Sequence, residues 1–148
     1  MDKSDFIARA LANQTNRQIL KRLPSLGLND CWLVSGALFQ SVWNSLTGRP
    51  ANHGIVDYDI IYFDDRDLSW EAENRKITQL TECFKDLPAQ IEVRNQARVH
   101  LWYTEKFGMP YTALTHASES IDRYLAVVSM VGLRPTLKGE FELYAPKG

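Results

Sequence analysis

Asp57 and Asp59 stand two residues apart in the run from Gly54 to Asp64, among Ile55, Val56, Tyr58, Ile60, Ile61, Tyr62 and Phe63. That density of β-branched and aromatic residues predicts a strand over Ile55–Phe63. On a strand, residues i and i+2 share a face, with Cα atoms about 7 Å apart. Two carboxylates so placed repel one another and resist ionisation unless a cation lies between them. Oxygen-only donors select a hard ion, Mg²⁺ or Mn²⁺. A third carboxylate, Glu92, sits between Ile91 and Val93 at the start of another strand-like run. If the two strands are neighbours, three carboxylates converge, a set that can hold divalent ions for in-line displacement at phosphorus. The plainer readings are a solvated Asp57 at the strand entry and a Glu92 paired with Arg94 or Arg98.

Two other features could serve such a site. Ser35-Gly36 is a small-residue break between an apolar strand and an amphipathic helix, and backbone N–H groups at such a start can cradle phosphate. The alternative is simple turn chemistry. The segment Gln90–Tyr103 alternates polar and apolar residues, which predicts one strand with Glu92, Arg94, Gln96, Arg98, His100 and Trp102 on one face. We read that stripe as an acceptor cleft, with arginine on phosphate and His100 or Trp102 stacking on a base or sugar. The alternative is a solvated face whose arginines pair with nearby acids. His53 and His116 lack metal-ligand spacing and read as loop residues. There is no Walker A loop, HExxH, G-x-S-x-G or G-x-G-x-x-G.

The elements that must position these residues follow from periodicity. Residues 4–22 read as helical, divided near Asn13-Gln14-Thr15-Asn16, with Asn16 capping the second part. Cys31–Val34 is a short apolar strand. The helix after Ser35-Gly36 turns Leu38, Phe39, Val42, Trp43 and Leu46 inward. Ser69 caps a helix with Glu71 and Glu73 in its first turn and Trp70, Ile77, Leu80 and Phe84 as its buried stripe. Arg75 and Lys76 fall on that helix's outer face and read as solvated. Trp43, Tyr58 and Tyr62 read as core residues. Phe107–Thr115 is a loop, and Ser118 caps a helix with Ile121, Tyr124, Leu125 and Val128 inward and Gly132 as its stop. Arg134–Tyr144 forms a hairpin turning at Lys138-Gly139. Helix, strand, helix, strand, helix, strand, helix, hairpin predicts an α+β domain with a mixed sheet and helices mainly on one face.

Composition sets the outer bounds. The 148 residues are 45% hydrophobic and 24% charged, which predicts one globular domain spanning 1–148. With 17 basic and 18 acidic residues the net charge is −1, so no global basic field draws in long nucleic acid. Cys31 and Cys83 form neither a CxxC pair nor a disulfide framework, which points to a reducing cytoplasm. The longest uncharged run, Cys31–Gly48, carries too many polar residues to span a bilayer.

Taken together, Val34-Ser35-Gly36-Ala37, Asp57-Tyr58-Asp59 and Glu92 resemble the nucleotidyltransferase superfamily typified by DNA polymerase β. More closely, the chain is similar to a family of small bacterial predicted nucleotidyltransferases. The matching stretches are Ser35-Gly36-Ala37 with Val42-Trp43-Asn44, Asp57–Asp64, Asp67-Leu68-Ser69 with Glu71-Ala72-Glu73, and Glu92–Tyr103 with Phe107-Gly108. The resemblance implies that Asp57 and Asp59 ligate the metal on a nucleoside triphosphate. It implies that Glu92 completes a second metal position and accepts the acceptor's proton, and that Ser35 and the Gly36 amide contact the β- and γ-phosphates. The cofactor would be Mg²⁺ or Mn²⁺, and the partners an NTP and an acceptor not specified by the sequence. Two departures stand out: a single glycine in Ser35-Gly36-Ala37, and twenty residues between Gly36 and Asp57. The resemblance also carries the expectation of a helical continuation beyond Gly148. Two rival readings are a non-catalytic nucleotide-binding module and a glycosyltransferase whose D-x-D holds Mn²⁺, the latter leaving Glu92 without a role.

Overall fold

The structure is a computed structural model and describes residues 1–108, 111–124 and 129–146. Helices α1 (Lys3–Ala10) and α2 (Gln14–Arg22) lead to strand β1 (Trp32–Val34), then α3 (Gly36–Thr47), β2 (Asp57–Tyr62), α4 (Trp70–Cys83) and β3 (Gln90–Asn95). Helices α5 (Val99–Phe107) and α6 (Ser118–Ile121) follow, and β4 (Gly132–Pro135) and β5 (Phe141–Tyr144) close the described chain. The strands form one sheet in the order β3-β2-β1-β4-β5. β2 and β3 are parallel, joined through α4, because parallel strands need a crossover and not a tight turn. The other pairings are antiparallel, so the sheet is mixed, as the sequence predicts.

Strand alternation divides the core. Leu33, Tyr58, Ile60, Tyr62, Val93 and Leu133 face α1–α4 and build the larger apolar cluster with Ala10, Ile19, Leu20, Leu38 and Leu80. Trp32, Val34, Ile61 and Phe63 face the other way and pack on Ala97, Leu114, Ala117 and Ile121. The helices therefore lie mainly on one face, and the second face is covered only in part. Because Asp57 and Asp59 share the parity of Ile61, they belong to that second face.

Local chemistry explains the boundaries. Asp2 caps α1 and Ser69 caps α4 through hydrogen bonds to the Asp5 and Ala72 amides. Gly48 ends α3 at φ 70°, a left-handed cap that costs glycine nothing. The β4–β5 hairpin turns at Gly139, as expected.

Several expectations fail for identifiable reasons. Asn13, not Asn16, caps α2, accepting from the amides of Thr15 and Asn16. Asn16 is instead buried and donates to the carbonyls of Ala10 and Ala37. Trp43 and Leu46 are 57% and 53% exposed. The inward face of α3 is taken by Ser41 and Asn44, which are hydrogen-bonded to Asn13 and to the carbonyls of Ala51 and His53. A satisfied polar side chain can be buried cheaply, and here it turns the helix away from the purely apolar solution. Trp70 is likewise exposed at the start of α4. Gly132 is a β4 residue, not a helix stop. A Cβ there would come within 2.7 Å of Ile121 and 3.2 Å of Trp32, so only glycine lets the strand pack. Ala117, not Ser118, occupies the cap position of α6, which is four residues long. Leu125 and Val128 lie outside the described residues.

The largest correction concerns Gln90–Tyr103. The strand stops at Asn95, whose side-chain oxygen accepts from the amides of Ala97 and Asp64. Residues 96–98 then form a 3₁₀ turn that runs into α5. An asparagine that offers the backbone a local hydrogen-bond acceptor competes with the strand ladder, and here it wins.

A candidate metal-carboxylate site

The register of the sheet assembles the acidic residues. Asp59 lies opposite Glu92 on parallel neighbours, with Asp57 one step back on the same face. One oxygen from each of Asp57, Asp59 and Glu92 lies within 4.8 Å of the other two. Two oxygens on a single Mg²⁺ stand at most about 4 Å apart, so small side-chain movements would bring the set into one coordination sphere.

The electrostatics agree with that geometry. The Asp59 carboxyl is pushed up to about 6, first by burial and then by the charges of Glu92 and Asp57, while Arg94 opposes the rise. Oδ1 of Asp59 is buried and has no hydrogen-bond partner among the described residues. A buried acceptor left without a donor costs about 1–3 kcal/mol, and a cation would remove that cost. An all-oxygen, anionic donor set fits a hard divalent ion and not a soft one.

Ser35 and Gly36 sit beside these carboxylates because Val34 pairs with Asp59. Ser35 adopts φ 62°, ψ −128°, a conformation that L-residues rarely take. Its amide donates to the Val131 carbonyl, and its own carbonyl accepts from the amides of Leu38 and Phe39. The chain therefore turns sharply from β1 into α3. No side chain caps the helix, and the positive end of its dipole lies at Gly36 and Ala37, beside the end of β1.

Behind the site, Asn13 is buried and donates to the Tyr58 hydroxyl and to Ser41 Oγ. Tyr58 lies between the two aspartates in sequence and points to the opposite face. The bond therefore anchors β2 to α3 and to the α1–α2 junction from the far side of the sheet.

The polar stripe beyond Glu92 does not exist as a strand face. Arg94 remains beside the carboxylates and is exposed, with its guanidinium donating to the Val93 carbonyl. Gln96 is buried and donates to the Arg94 carbonyl. Arg98 donates to Glu73 at 2.5 Å and to the Leu68 carbonyl. Glu73 in turn accepts from the Asn95 amide, so Arg98 ties α4 to the end of β3. His100 is a residue of α5, and its Nδ1 is buried without a hydrogen-bond partner among the described residues. Tyr124 reads from the sequence as an inward helix residue, with no link to the acids. It is close enough to Asp59 for that charge to help raise its phenol to about 12, burial being the main cause. No local sequence signal marks that proximity, since Tyr124 reaches the carboxylate face only through tertiary packing.

A strand, a strained turn into a helix, and three carboxylates converging from two parallel strands define the class: a nucleotidyltransferase fold of the polymerase β type. A family model described as "Nucleotidyltransferase" matches residues 21–148, and the chain belongs to that family. A solved structure described as "The NMR structure of the protein reveals a CCA-adding enzyme head domain" is similar, with TM-score 0.79 and 28% identity. The match covers 100% of this chain and 73% of that one. No curated protein matches. No helix among the described residues is long and apolar enough to cross a membrane.

Proposed function

We propose that this nucleotidyltransferase moves a nucleoside monophosphate from an NTP to a hydroxyl or phosphate acceptor, with Asp57, Asp59 and Glu92 holding Mg²⁺ or Mn²⁺. The observation that supports this most directly is the convergence of three carboxylate oxygens within 4.8 Å, one of them buried without a partner. When bound, the ion would offset charge on the transferring phosphoryl group and acidify the acceptor.

Asp57 and Asp59 would fix the ion against β2, whose backbone is paired with β3 at both residues and with β1 as well at Asp59. The amide of Gly36 and the Ser35 hydroxyl would hold the β- and γ-phosphates, helped by the positive end of α3. Glu92 would take the proton as the acceptor oxygen bonds to the α-phosphorus and the bond to the departing pyrophosphate breaks. Arg94 is placed to counter phosphate charge at the same site. The likeness to a CCA-adding enzyme head domain admits an RNA end as acceptor, while the net charge of −1 favours a short acceptor over a long nucleic acid.

Calorimetry of each NTP with Mg²⁺ or Mn²⁺, on the wild type and on Asp57→Asn/Asp59→Asn, tests the reading. The double variant is expected to stay folded and to lose at least tenfold in metal-dependent affinity, with pyrophosphate release abolished. Equal affinity in the two proteins removes the aspartates from nucleotide binding. Binding without pyrophosphate release in the wild type, across acceptors, assigns a non-catalytic module instead.

A further inference from the structure

On the helical side of the sheet, the parallel strands β2 and β3 end side by side at Tyr62 and Asn95. There they open into a cavity of about 490 Å³ against the first turns of α4. That size lies within the range that takes small molecules. It is a different place from the carboxylate site. Tyr62 and Asn95 are three residues beyond Asp59 and Glu92, about 10 Å along the strands, and their side chains point to the opposite face.

The cavity's charge does not cancel. Arg66 grips Asp64 through two nitrogens, at 2.9 and 2.7 Å. Arg75 stands 3.7 Å from Asp67. Lys76, read from the sequence as merely solvated, lines the cavity with no hydrogen bond or ion pair among the described residues, although its charge reaches Asp64. With Asp64 and Asp67 set against Arg66, Arg75 and Lys76, the lining carries one net positive charge. The wall also holds a hydroxyl without a protein partner. Tyr62 is only 2% exposed, and its hydroxyl makes no hydrogen bond to a described residue while staying open to the cavity. Burial, with help from Glu73 and Asp64, raises that phenol to about 12, so it stays protonated and able to donate across the neutral range.

A cation outside any ion pair and a hydroxyl without a protein partner, in a wall whose other cations are matched by Asp64 and Asp67, suit a small anion, and the space exceeds what a bare carboxylate fills. We propose that this cavity is a second ligand site that takes a small phosphate-bearing anion, with Lys76 countering its charge and Tyr62 donating a hydrogen bond to it. The site needs no divalent ion and does not depend on the nucleotidyl-transfer reading.

The test is calorimetric or NMR titration of the full chain in EDTA with inorganic phosphate and, separately, with ribose 5-phosphate. Saturable binding is expected, weakened about fivefold in Tyr62→Phe and about tenfold or more in Lys76→Glu. Asp57→Asn/Asp59→Asn is expected to bind as the wild type does. Lys76→Gln, a substitution at a helix surface, serves as the second variant if Tyr62→Phe does not fold. Ribose 5-phosphate binding at least tenfold tighter than phosphate identifies a phosphate ester as the ligand, and equal affinity identifies free phosphate. Absence of saturable binding by both anions, equal affinity in Lys76→Glu, or loss of binding in the aspartate double variant would each overturn the proposal.

Discussion

Asp59 carries a cost that depends on pH. Its folded carboxyl titrates near 6, above the ordinary aspartate value of 3.8, so in the metal-free protein the fold prefers it protonated. Its contribution to stability is therefore fully present below pH 4 and is lost as the pH rises through 6. The shift corresponds to about 3 kcal/mol if taken whole, and to about 1–2 kcal/mol once partial exposure and solvent screening are allowed for. Asp59→Asn in EDTA is thus expected to be more stable than the wild type by that amount at pH 7.5 and no more stable at pH 4, as read by urea unfolding. Added Mg²⁺ should reverse the order at pH 7.5, because only the wild type gains from the ion. Ser35 has a related conflict, a side chain held at φ 62°. Ser35→Gly relieves strain of about 1–3 kcal/mol and gives back up to about 1 kcal/mol in chain entropy. A melting temperature a few degrees higher, together with a raised KM for NTP, would show that the hydroxyl is kept for phosphate at the expense of stability. An unchanged KM would remove the hydroxyl from binding.

At the scale of elements, the two arginines of the Gln90–Tyr103 segment separate cleanly. Arg98 and Glu73 are nearly buried, and Glu73 also holds the Asn95 amide where β3 ends. Arg98→Ala would leave a buried carboxylate without its cation, which costs about 3–5 kcal/mol. Its expected signature in urea unfolding is a large loss of stability, with metal affinity retained by the fraction that stays folded. Arg94 is exposed beside the carboxylates, so Arg94→Ala should change stability by less than about 0.5 kcal/mol and weaken NTP binding. If both variants behave alike, the division between a structural and a site arginine is wrong. The sequence showed two arginines at strand spacing, and nothing in the alternation alone revealed that Asn95 would end the strand between them. The clue was the residue type: an asparagine side chain can accept from the amide two residues on and cap a turn.

At the scale of the molecule, one sheet separates two environments. The larger cluster and α1–α4 hold β2 from behind, through Tyr58, Ile60 and Tyr62 and the Asn13–Tyr58 hydrogen bond. The opposite face keeps its carboxylates partly open beside the smaller cluster. Period-two alternation in Asp57–Phe63 imposes this arrangement, since a strand that buries Tyr58, Ile60 and Tyr62 on one side must send Asp57 and Asp59 to the other. The same alternation places the Tyr62 cavity on the helical side, away from the acids.

The amino-acid order by itself determined what is local. The β-forming run around Asp57, the Ser69 cap, the β4–β5 hairpin and the parity that pairs the aspartates all depend on neighbours a few residues away. The tertiary structure alone decided which strand lies beside which, and so that Glu92 stands opposite Asp59. It also decided that α3 buries Ser41 and Asn44 in place of Trp43 and Leu46. The pairing of β2 with β3 and the burial of Ser41 rest on partners in other segments, such as the Asn16–Ser41 and Asn13–Tyr58 hydrogen bonds, 25 and 45 positions apart, and no periodicity within one segment encodes a partner in another.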